Sequence, residues 1–342
     1  MVSYVVQRVF LMIPTFVGIT LIAFFIMRLA PGDPVELYFA GGLAAGGQGM
    51  SSERLADVER AKQEMRRQLG LDRPLPVQYA VWLRRIVTFD LGESIKDRRA
   101  VWDKIRERLP VTITLEAVSI LLMYLVAIPL GIYSAVRPGS WLDSISTTTV
   151  FMLYSLPSFW VGTLILIYFC GGDYFQWFPP AGLHSLDYAP EWPLWRRTLD
   201  LSWHLAMPVL CTTYAAFAAL SRYMRSAMLE NARQDYVRTA HAKGLSERVV
   251  VLKHILRNSL IPMVTILASI LPALIGGAVI IETIFSVPGI GQLGYQAILA
   301  RDYPVVLGLF AISSILTLLG ILLADVLLAL VDPRISFGRA ST

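Results

Sequence analysis

Residues 235–262, DYVRTAHAKGLSERVVVLKHILRNSLIP, form a basic stretch between two long apolar segments. Asp235 can cap the start of a helix, because its carboxylate can accept a hydrogen bond from a free backbone N–H. Gly244 can end that helix, since glycine adopts the left-handed conformation at little cost. Ser246 can then cap a second helix, which we predict over 247–258. A short helix, a glycine corner and a second helix make a rigid knob at a membrane surface, as a docking site for a soluble partner requires.

The composition is that of an integral membrane protein. Of 342 residues, 55% are hydrophobic and 16% are charged, and the mean hydropathy is +0.58, whereas a soluble domain carries about a quarter charged residues. The net charge of +5 collects in loops that flank the apolar segments, which argues against nucleic-acid binding. Cys170 and Cys211 are the only cysteines, so a disulfide framework or CxxC metal site is excluded. The first apolar run is long enough to span a membrane and lacks a small-residue cleavage site, so we expect no cleaved signal peptide.

Six segments are long and apolar enough to cross a bilayer, which takes about 20 residues. We therefore predict an all-α integral membrane protein with six transmembrane helices and a small helical extracytoplasmic insert after the first. The fourth span is rich in Ala and Thr, and we expect its helix to continue past Arg222. The predicted spans are 9–30, 111–136, 144–169, 203–220, 260–285 and 304–330.

The distribution of basic residues predicts the orientation. If the N-terminus is inside, the inner loops hold twelve Lys and Arg residues and the short outer loops hold three. Short cytoplasmic loops carry the excess of positive charge. We therefore expect both termini in the cytoplasm and a multi-pass protein.

The insert is expected outside the membrane, on the side opposite the termini. Residues 31–110 hold fourteen Lys and Arg and twelve Asp and Glu, and long translocated segments do not follow the charge rule. We predict a flexible linker at 41–49 and helices at 51–69, 76–87 and 100–109. The insert is too small for a catalytic domain. A cap over the helix ends and a surface for an extracytoplasmic partner both remain open as its role.

Several strings resemble the permease subunits of oligopeptide/dipeptide/nickel ABC importers. In the coupling loop of ABC-importer permeases the general signature is Glu-Ala-Ala, three residues, then Gly. In this chain Arg238, Thr239 and Ala240 occupy those places before Gly244. The chain is similar to the peptide/nickel branch in the string YVRTAxAKGL followed by RNxLIP. In that branch, Arg238 in place of the Glu is expected, and so is a distance from Gly244 to Pro262 that is longer than in the general signature. The other similar strings are IPTFVGITLIAFFIMRLAPGDP, LGLDRPLPVQY, FDLGESI, SLPSFWVG, WHLAMPVL, ETIFSVPGIGQLGY and LLADVLLALVDPR.

The resemblance implies a bacterial inner-membrane permease that forms half of a pathway. Its implied partners are the lipid bilayer, a second homologous permease in a heterodimer, two ABC ATPase subunits that dock on loop 222–258, and an extracytoplasmic substrate-binding protein. Peptide is the favoured cargo, although the sequence does not distinguish dipeptide, oligopeptide, nickel or sugar. The coupling residues are then Asp235, Tyr236, Val237, Arg238, Thr239, Ala240, Ala242, Lys243, Gly244 and Leu245. Without the resemblance, the basic loop would be explained by contact with anionic lipid headgroups.

We expect no cofactor on this chain and no catalysis by it. There is no GxxxxGK[ST] phosphate loop, and GIGQLG at 289–294 has the wrong spacing and no Lys. ATP is therefore expected to be used by the partner subunits. HExxH and GxSxG are also absent, no Ser/His/Asp grouping is evident, and the four histidines are scattered and do not suggest a metal site.

Charged residues inside spans are costly and usually functional. Glu116 lies near the outer end of the second span, where it can reach interfacial water. Asp325 lies about two turns from the inner end of the sixth span, where a hydrogen bond to a neighbouring helix is the simpler role. Glu282 lies at the outer end of the fifth span, where we expect its carboxylate to stay hydrated. Two roles stay open for Glu282: it orders a bend there, or it lines an outer gate.

Proline and glycine interrupt the third and fifth spans at Pro157, Pro272, Gly276 and Gly277. Proline removes a backbone donor and small residues let helices approach closely. Such positions suit a path that opens and closes, but they are also common in any membrane bundle. The pathway or gate candidates are Pro157, Gly276, Gly277, Glu282, Phe285, Pro288, Gly289 and Asp325.

The domain division expected from these patterns is an N-terminal transmembrane helix at 1–30, the insert at 31–110 and a core of five transmembrane helices at 111–342. The alternative function is a self-sufficient channel or secondary carrier for a small solute. Against that alternative, no inverted repeat relates 1–170 to 171–342, and no charged relay runs through the spans.

Overall fold

The computed structural model describes residues 2–29, 32–33, 35–36, 38–39, 52–68, 70–171, 174–270 and 276–331. Within these ranges the chain forms helices and no β-strand, only an isolated bridge between Glu93 and Ala100. The predicted all-α fold class is confirmed. The predicted linker at 41–49 and Pro272 lie outside the described residues.

The described residues form thirteen α-helices, numbered in chain order. The first six are α1 (Val2–Leu29), α2 (Ser52–Gln68), α3 (Leu75–Val87), α4 (Val101–Val136), α5 (Trp141–Ser155) and α6 (Ser158–Ile165), which continues as a π-helical turn, Leu166–Cys170. The next two are α7 (Leu194–Ala232) and α8 (Asp235–Ala242). One continuous helix then comprises α9 (Glu247–Val249), a π-helical segment (Val250–Ile255) and α10 (Leu256–Ile270). The last are α11 (Val279–Ile284), α12 (Ile290–Leu299) and α13 (Tyr303–Val331).

Among the described residues, five helices are long and apolar enough to cross a membrane, or six spans if one bent pair counts as a single span. This agrees with the predicted number. The bent pair is Asp143–Ser155 with Ser158–Cys170, whose axes differ by 95°. The others are Tyr4–Leu29, Val101–Val136, Leu194–Ala232, Glu247–Leu267 and Tyr303–Val326.

Two predicted boundaries are wrong. The helix expected at 100–109 is not separate, because α4 runs through Pro110 without a break. The change from polar to apolar composition at Pro110 therefore marks a change of surroundings and not the end of a helix. The fifth span is not one helix over 260–285, since Gly277 and Ala278 are not helical and α11 begins at Val279. The fourth helix does continue past Arg222, as predicted, and ends at Ala232.

One compact unit consists of Met1–Val5, Pro110–Gln292 and Leu319–Thr342. Its main hydrophobic cluster contains side chains of α4, α7, α8, the π-helical segment and α10. Ser140 caps α5 by accepting a hydrogen bond from the N–H of Asp143 (3.2 Å). The Asp143 carboxylate in turn accepts from Gly139 N–H and pairs with Arg225 of α7, so the loop before α5 is fixed to α7.

The other unit consists of Val6–Leu109 and Leu293–Leu318. The helices predicted at 51–69 and 76–87 are present as α2 and α3, whose bounds agree with the predicted ones to within one residue. Tyr79 and Trp82 of α3 pack on Phe24 of α1. Arg66 of α2 binds Asp33 (2.7 Å) and Glu36 (2.8 Å), which holds the start of the insert against α2.

Candidate functional site

Helix α8 and the corner after it form the candidate coupling site. Gly244 has φ +74°, so it adopts the left-handed conformation that the sequence predicts. The N–H of Gly244 donates to the carbonyl of His241 (2.9 Å), and the N–H of Leu245 donates to the carbonyl of Ala240 (3.4 Å). These bonds satisfy carbonyls at the end of α8 and turn the chain sharply into Ser246.

The site has one buried face and one exposed face. Val237 and Ala240 are 3% and 4% exposed and belong to the cluster with Met224, Met228 and Val250. Their spacing of three residues places them on one side of the short helix. Residues 241–249 are all exposed. The apolar side thus fixes α8 to its own unit, and the polar side is free for another molecule.

Two details of the predicted capping are wrong. Asp235 is the first residue of α8 and not its cap; the cap is Gln234, which makes no side-chain capping bond. The Asp235 carboxylate instead lies 3.4 Å from the Arg238 guanidinium, and both side chains are exposed. Ser246 does occupy the cap position, yet its hydroxyl makes no capping bond.

The second helix of the site is longer than predicted. It does not end at Asn258, since it continues through the π-helical segment to Ile270. Val250, Val251 and Ile255 of that segment are buried in the same cluster as α8. A π-helical turn shifts the register of side chains along a helix and is frequent at functional sites. In this segment it lets consecutive residues Val250 and Val251 both contact the core.

The bend at Pro157 is held by a specific contact. Helix α5 ends at Ser155 and α6 begins at Ser158, with Leu156 and Pro157 in extended conformations between them. Pro157 has no N–H to continue the helix. The carbonyl of Leu156 accepts a hydrogen bond from the Tyr214 hydroxyl on α7 (2.6 Å). The break is therefore a defined corner in the third span.

Glu282 lies inside a second corner, between α11 and α12. It is 0% exposed, so our expectation that a carboxylate at this position stays hydrated is wrong. Its Oε1 accepts from the Thr112 hydroxyl of α4 (3.0 Å), and its Oε2 accepts from the N–H of Gln292 (2.8 Å). The Thr112 hydroxyl oxygen also accepts from Ile290 N–H (2.7 Å). The Glu282 carboxylate thus connects α11, α4 and the start of α12.

Three glycines make room for this carboxylate. A Cβ on Gly289 would lie 2.4 Å from the carboxyl carbon of Glu282, and one on Gly291 would lie 2.9 Å from its Oε2. Gly277 has φ +72°, and a Cβ there would lie 3.0 Å from Glu282 Oε1. These three glycines therefore allow the backbone to approach the buried Glu282 carboxylate closely. Of the two roles left open for Glu282, these contacts favour ordering of the bend.

The other gate candidates fall in different surroundings. Phe285 is 2% exposed and packs in a cluster with Cys170, Cys211, Ile281 and Val287. Pro288 is half-buried in the corner that Gly289 follows, and Gly276 has open space around it. Asp325 accepts a hydrogen bond from the Tyr4 hydroxyl of α1 (3.0 Å), which is the helix–helix role expected for it. Glu116 is half-buried, one turn after Thr112 on α4.

Sequence reasoning missed a polar cluster around Asp200. His184 Nδ1 lies 3.0 Å from Asp200 Oδ2, and the Ser185 hydroxyl donates to Asp200 Oδ1. His204 lies one turn further along α7 with Nδ1 2.9 Å from the Asp200 carbonyl. The Ser185 hydroxyl is bonded to the carboxylate and not to a histidine, so this is not the geometry of an activated nucleophile. Nothing in the sequence spacing signals the cluster, since a loop brings the residues together.

The chain matches two family descriptions that together cover most of its length. "Binding-protein-dependent transport system inner membrane component" matches residues 127–337, and "Binding-prot-dependent transport system membrane comp, N-term" matches residues 1–116. The chain belongs to this family. It is a multi-pass inner-membrane permease component, which is a transport and not a catalytic role, and the family resemblance found in the sequence is confirmed.

Individual relatives are similar over their full length. The oligopeptide transport system permease protein AppB of Bacillus subtilis is 39% identical, with 98% of this chain and 100% of AppB covered. The di/tripeptide transport system permease protein DppB of Pseudomonas aeruginosa is 36% identical, with 99% of this chain and 100% of DppB covered. The peptidoglycan transport system permease protein YejB of Agrobacterium fabrum is 34% identical, with 98% of this chain and 99% of YejB covered. The family match removes the reason for treating the chain as a self-sufficient channel or carrier.

Proposed function

We propose that this permease forms half of the translocation pathway of an ATP-driven importer for di- or oligopeptides. The family match and the names of the relatives support this cargo class. A second homologous permease completes the pathway in a heterodimer, because six spans make only half of one. A substrate-binding protein delivers the cargo outside, and two ABC ATPase subunits supply the energy inside.

The observation that carries the proposal is the construction of loop 222–258. Helix α8 is anchored by Val237 and Ala240 and exposes its polar face and the whole of 241–249. A short helix so anchored can occupy a groove of an ATPase and move with it as one body. The same cluster includes residues of α7 and the π-helical segment. A displacement of α8 is thereby transmitted to the helices that the loop connects.

The topology follows from the same assignment. Loop 222–258 and both termini are cytoplasmic, whereas 31–110 lies outside and offers a surface to the binding protein or caps the helix ends. Within 111–342, the bends at Pro157 and at 276–289 are where the pathway opens and closes. The buried Glu282 and the half-buried Asp325 hold the helices in place around them. The chain itself binds neither ATP nor another cofactor in this scheme, and its origin is a bacterial inner membrane.

Reconstitution tests the proposal against the channel alternative. The permease is placed in proteoliposomes alone, or with the second permease, the ATPases and the binding protein, and uptake of labelled di- and oligopeptides is measured. We expect uptake only from the complete set, and only with ATP on the side of the membrane that carries the ATPases. Peptide flux through the permease alone would contradict the proposal, and uptake of sugar or nickel without peptide would overturn the cargo class.

A further inference from the structure

A cavity of about 400 Å³ lies in the unit formed by Val6–Leu109 and Leu293–Leu318. Its volume is within the range of small-molecule sites. The wall combines aromatic and polar side chains, including Phe24, Arg28, Gln78, Trp82 and Tyr303. None of the residues assigned to coupling or gating lines this cavity.

Arg28 is the most informative residue of the wall. Its guanidinium lies over the rings of Phe24 (5.5 Å) and Tyr303 (5.4 Å). Among the described residues it donates no hydrogen bond and forms no ion pair, and its Nε is buried without a partner. A guanidinium carries five N–H donors, and leaving such donors unpaired away from water is costly. The site therefore offers a buried, unpaired donor to an acceptor-rich anion.

The rest of the wall adds to the positive charge. Arg73, Arg85 and Arg98 also line the cavity, against Asp90 and Glu93. Arg85 and Asp90 are 4.0 Å apart and both half-exposed or more, so they form only a loose pair. With Arg28, four arginines face two carboxylates. An arginine cluster of this kind suits a phosphate group, to which guanidinium donates paired hydrogen bonds.

A second polar atom of the wall has no partner. The side-chain amide nitrogen of Gln78 donates to the carbonyls of Arg73 (2.7 Å) and Leu71 (3.4 Å). These two bonds fix the orientation of the amide, and they leave Oε1 buried without a hydrogen bond. Gln78 is 9% exposed. Its Oε1 can accept only from a ligand that has an N–H or O–H of its own.

The position of the cavity identifies the source of the phosphate. Arg28 is the penultimate residue of the candidate span Tyr4–Leu29, and Tyr303 is the first residue of the span Tyr303–Val326. The ends of spans lie at the level of the lipid headgroups, where Trp and Tyr are enriched and where long Arg side chains near helix ends reach the interface. We propose that the cavity binds the phosphodiester headgroup of a phospholipid, with Arg28 on the phosphate and Gln78 Oε1 accepting from an ammonium or hydroxyl of the headgroup.

The proposal makes a prediction about lipid selectivity. Phosphatidylethanolamine and phosphatidylglycerol both present a donor beyond the phosphate, whereas phosphatidylcholine has none for Gln78. The first two lipids should therefore be retained in preference to the third. This inference is independent of the cargo and of the ATPase partners.

The test is native mass spectrometry of the full-length permease released from nanodiscs of defined composition. Wild type should retain one phosphatidylethanolamine or phosphatidylglycerol and about tenfold less phosphatidylcholine. Arg28→Met should lose at least about tenfold in retention, since a hydrogen bond to a charged group contributes more than about 1.4 kcal/mol. Arg84→Met is the matched control, because Arg84 is an exposed arginine of α3 that does not line the cavity. It should retain lipid as wild type does.

Three outcomes would overturn the proposal. Equal lipid retention by Arg28→Met and wild type would show that Arg28 anchors the membrane without a specific lipid. Equal retention of phosphatidylcholine would exclude the role of Gln78. Displacement of the lipid by inorganic phosphate, with phosphate bound in its place, would identify a free anion as the ligand. Circular dichroism of Arg28→Met establishes that the variant is folded in each case.

Discussion

Replacement of Gly244 by valine tests the corner on which coupling depends. Gly244 has φ +74°, and no heavy atom lies within 4 Å of the position that a Cβ would take. An added Cβ therefore meets no neighbour, and the cost that we calculate is that of the backbone conformation. A residue with a Cβ loses about 1–2 kcal/mol in the left-handed region, and a β-branched residue is a still rarer occupant. At about 1.4 kcal/mol for each factor of ten, the native corner becomes about 5- to 30-fold less favoured.

Two measurements on the same proteoliposomes report the effect. The ATPase retained on pull-down by the permease should fall, or ATP-dependent peptide uptake should fall while ATP hydrolysis continues. Gly244→Asn should be much milder, because asparagine tolerates the left-handed conformation. Gly139→Val is the matched control: Gly139 has φ +78° with open space around it, in the loop between α4 and α5. Normal docking and uptake in Gly244→Val, or an equal defect in Gly139→Val, would refute the coupling role of the corner.

Three further predictions concern other parts of the chain. Glu282→Ala should lower the free energy of unfolding by about 2–4 kcal/mol, because it leaves two buried donors without an acceptor. Glu282→Gln should lower it by only about 1 kcal/mol. Equal melting curves for Glu282→Ala and wild type would contradict this prediction. Burial opposes the ionisation of Asp97, but hydrogen bonds from Lys104, Ser94 and the backbone lower its pKa from 3.8 to about 2. The stability that Asp97 contributes is therefore present above about pH 4 and lost as the pH falls towards about 2, and Asp97→Asn should flatten the acid dependence of Tm in that window. In a permease whose two native cysteines have been replaced, an impermeant maleimide applied to intact cells should label Arg60→Cys and not Ser246→Cys. The reverse labelling pattern would show that the topology is the opposite of the predicted one.

Much of the architecture follows from local sequence signals. Runs of about 20 apolar residues locate the spans without knowledge of their neighbours. The glycine at 244 has a local signature, because helix termination by a left-handed residue depends on only a few positions. Both features are present in the structure, as is the hydrogen bond expected of Asp325.

The rest depends on contacts between distant residues. The buried carboxylate of Glu282 accepts a hydrogen bond from Thr112, which is 170 residues away, whereas hydropathy alone places a carboxylate near a span end in water. The glycines of VPGIGQLG did carry a usable signal, because several glycines in a short loop indicate close backbone approach. The 95° bend at Pro157 includes a hydrogen bond from Tyr214 of another helix, a contact that the local sequence does not show. The capping bond expected of Asp235 is absent because Asp235 is the first residue of α8 and Gln234 occupies the cap position.

Site-specific photo-cross-linking from α8 tests whether this helix docks on an ATPase subunit. A photoreactive amino acid replaces Arg238, whose side chain is 79% exposed, in the assembled importer in native membranes. The matched position is Arg196, an exposed arginine at the start of α7. We predict that the probe at 238 captures an ATPase subunit, identified by peptide mass, and that the probe at 196 does not. Adducts of the probe at 238 with lipid alone would contradict it and leave the loop as a membrane anchor.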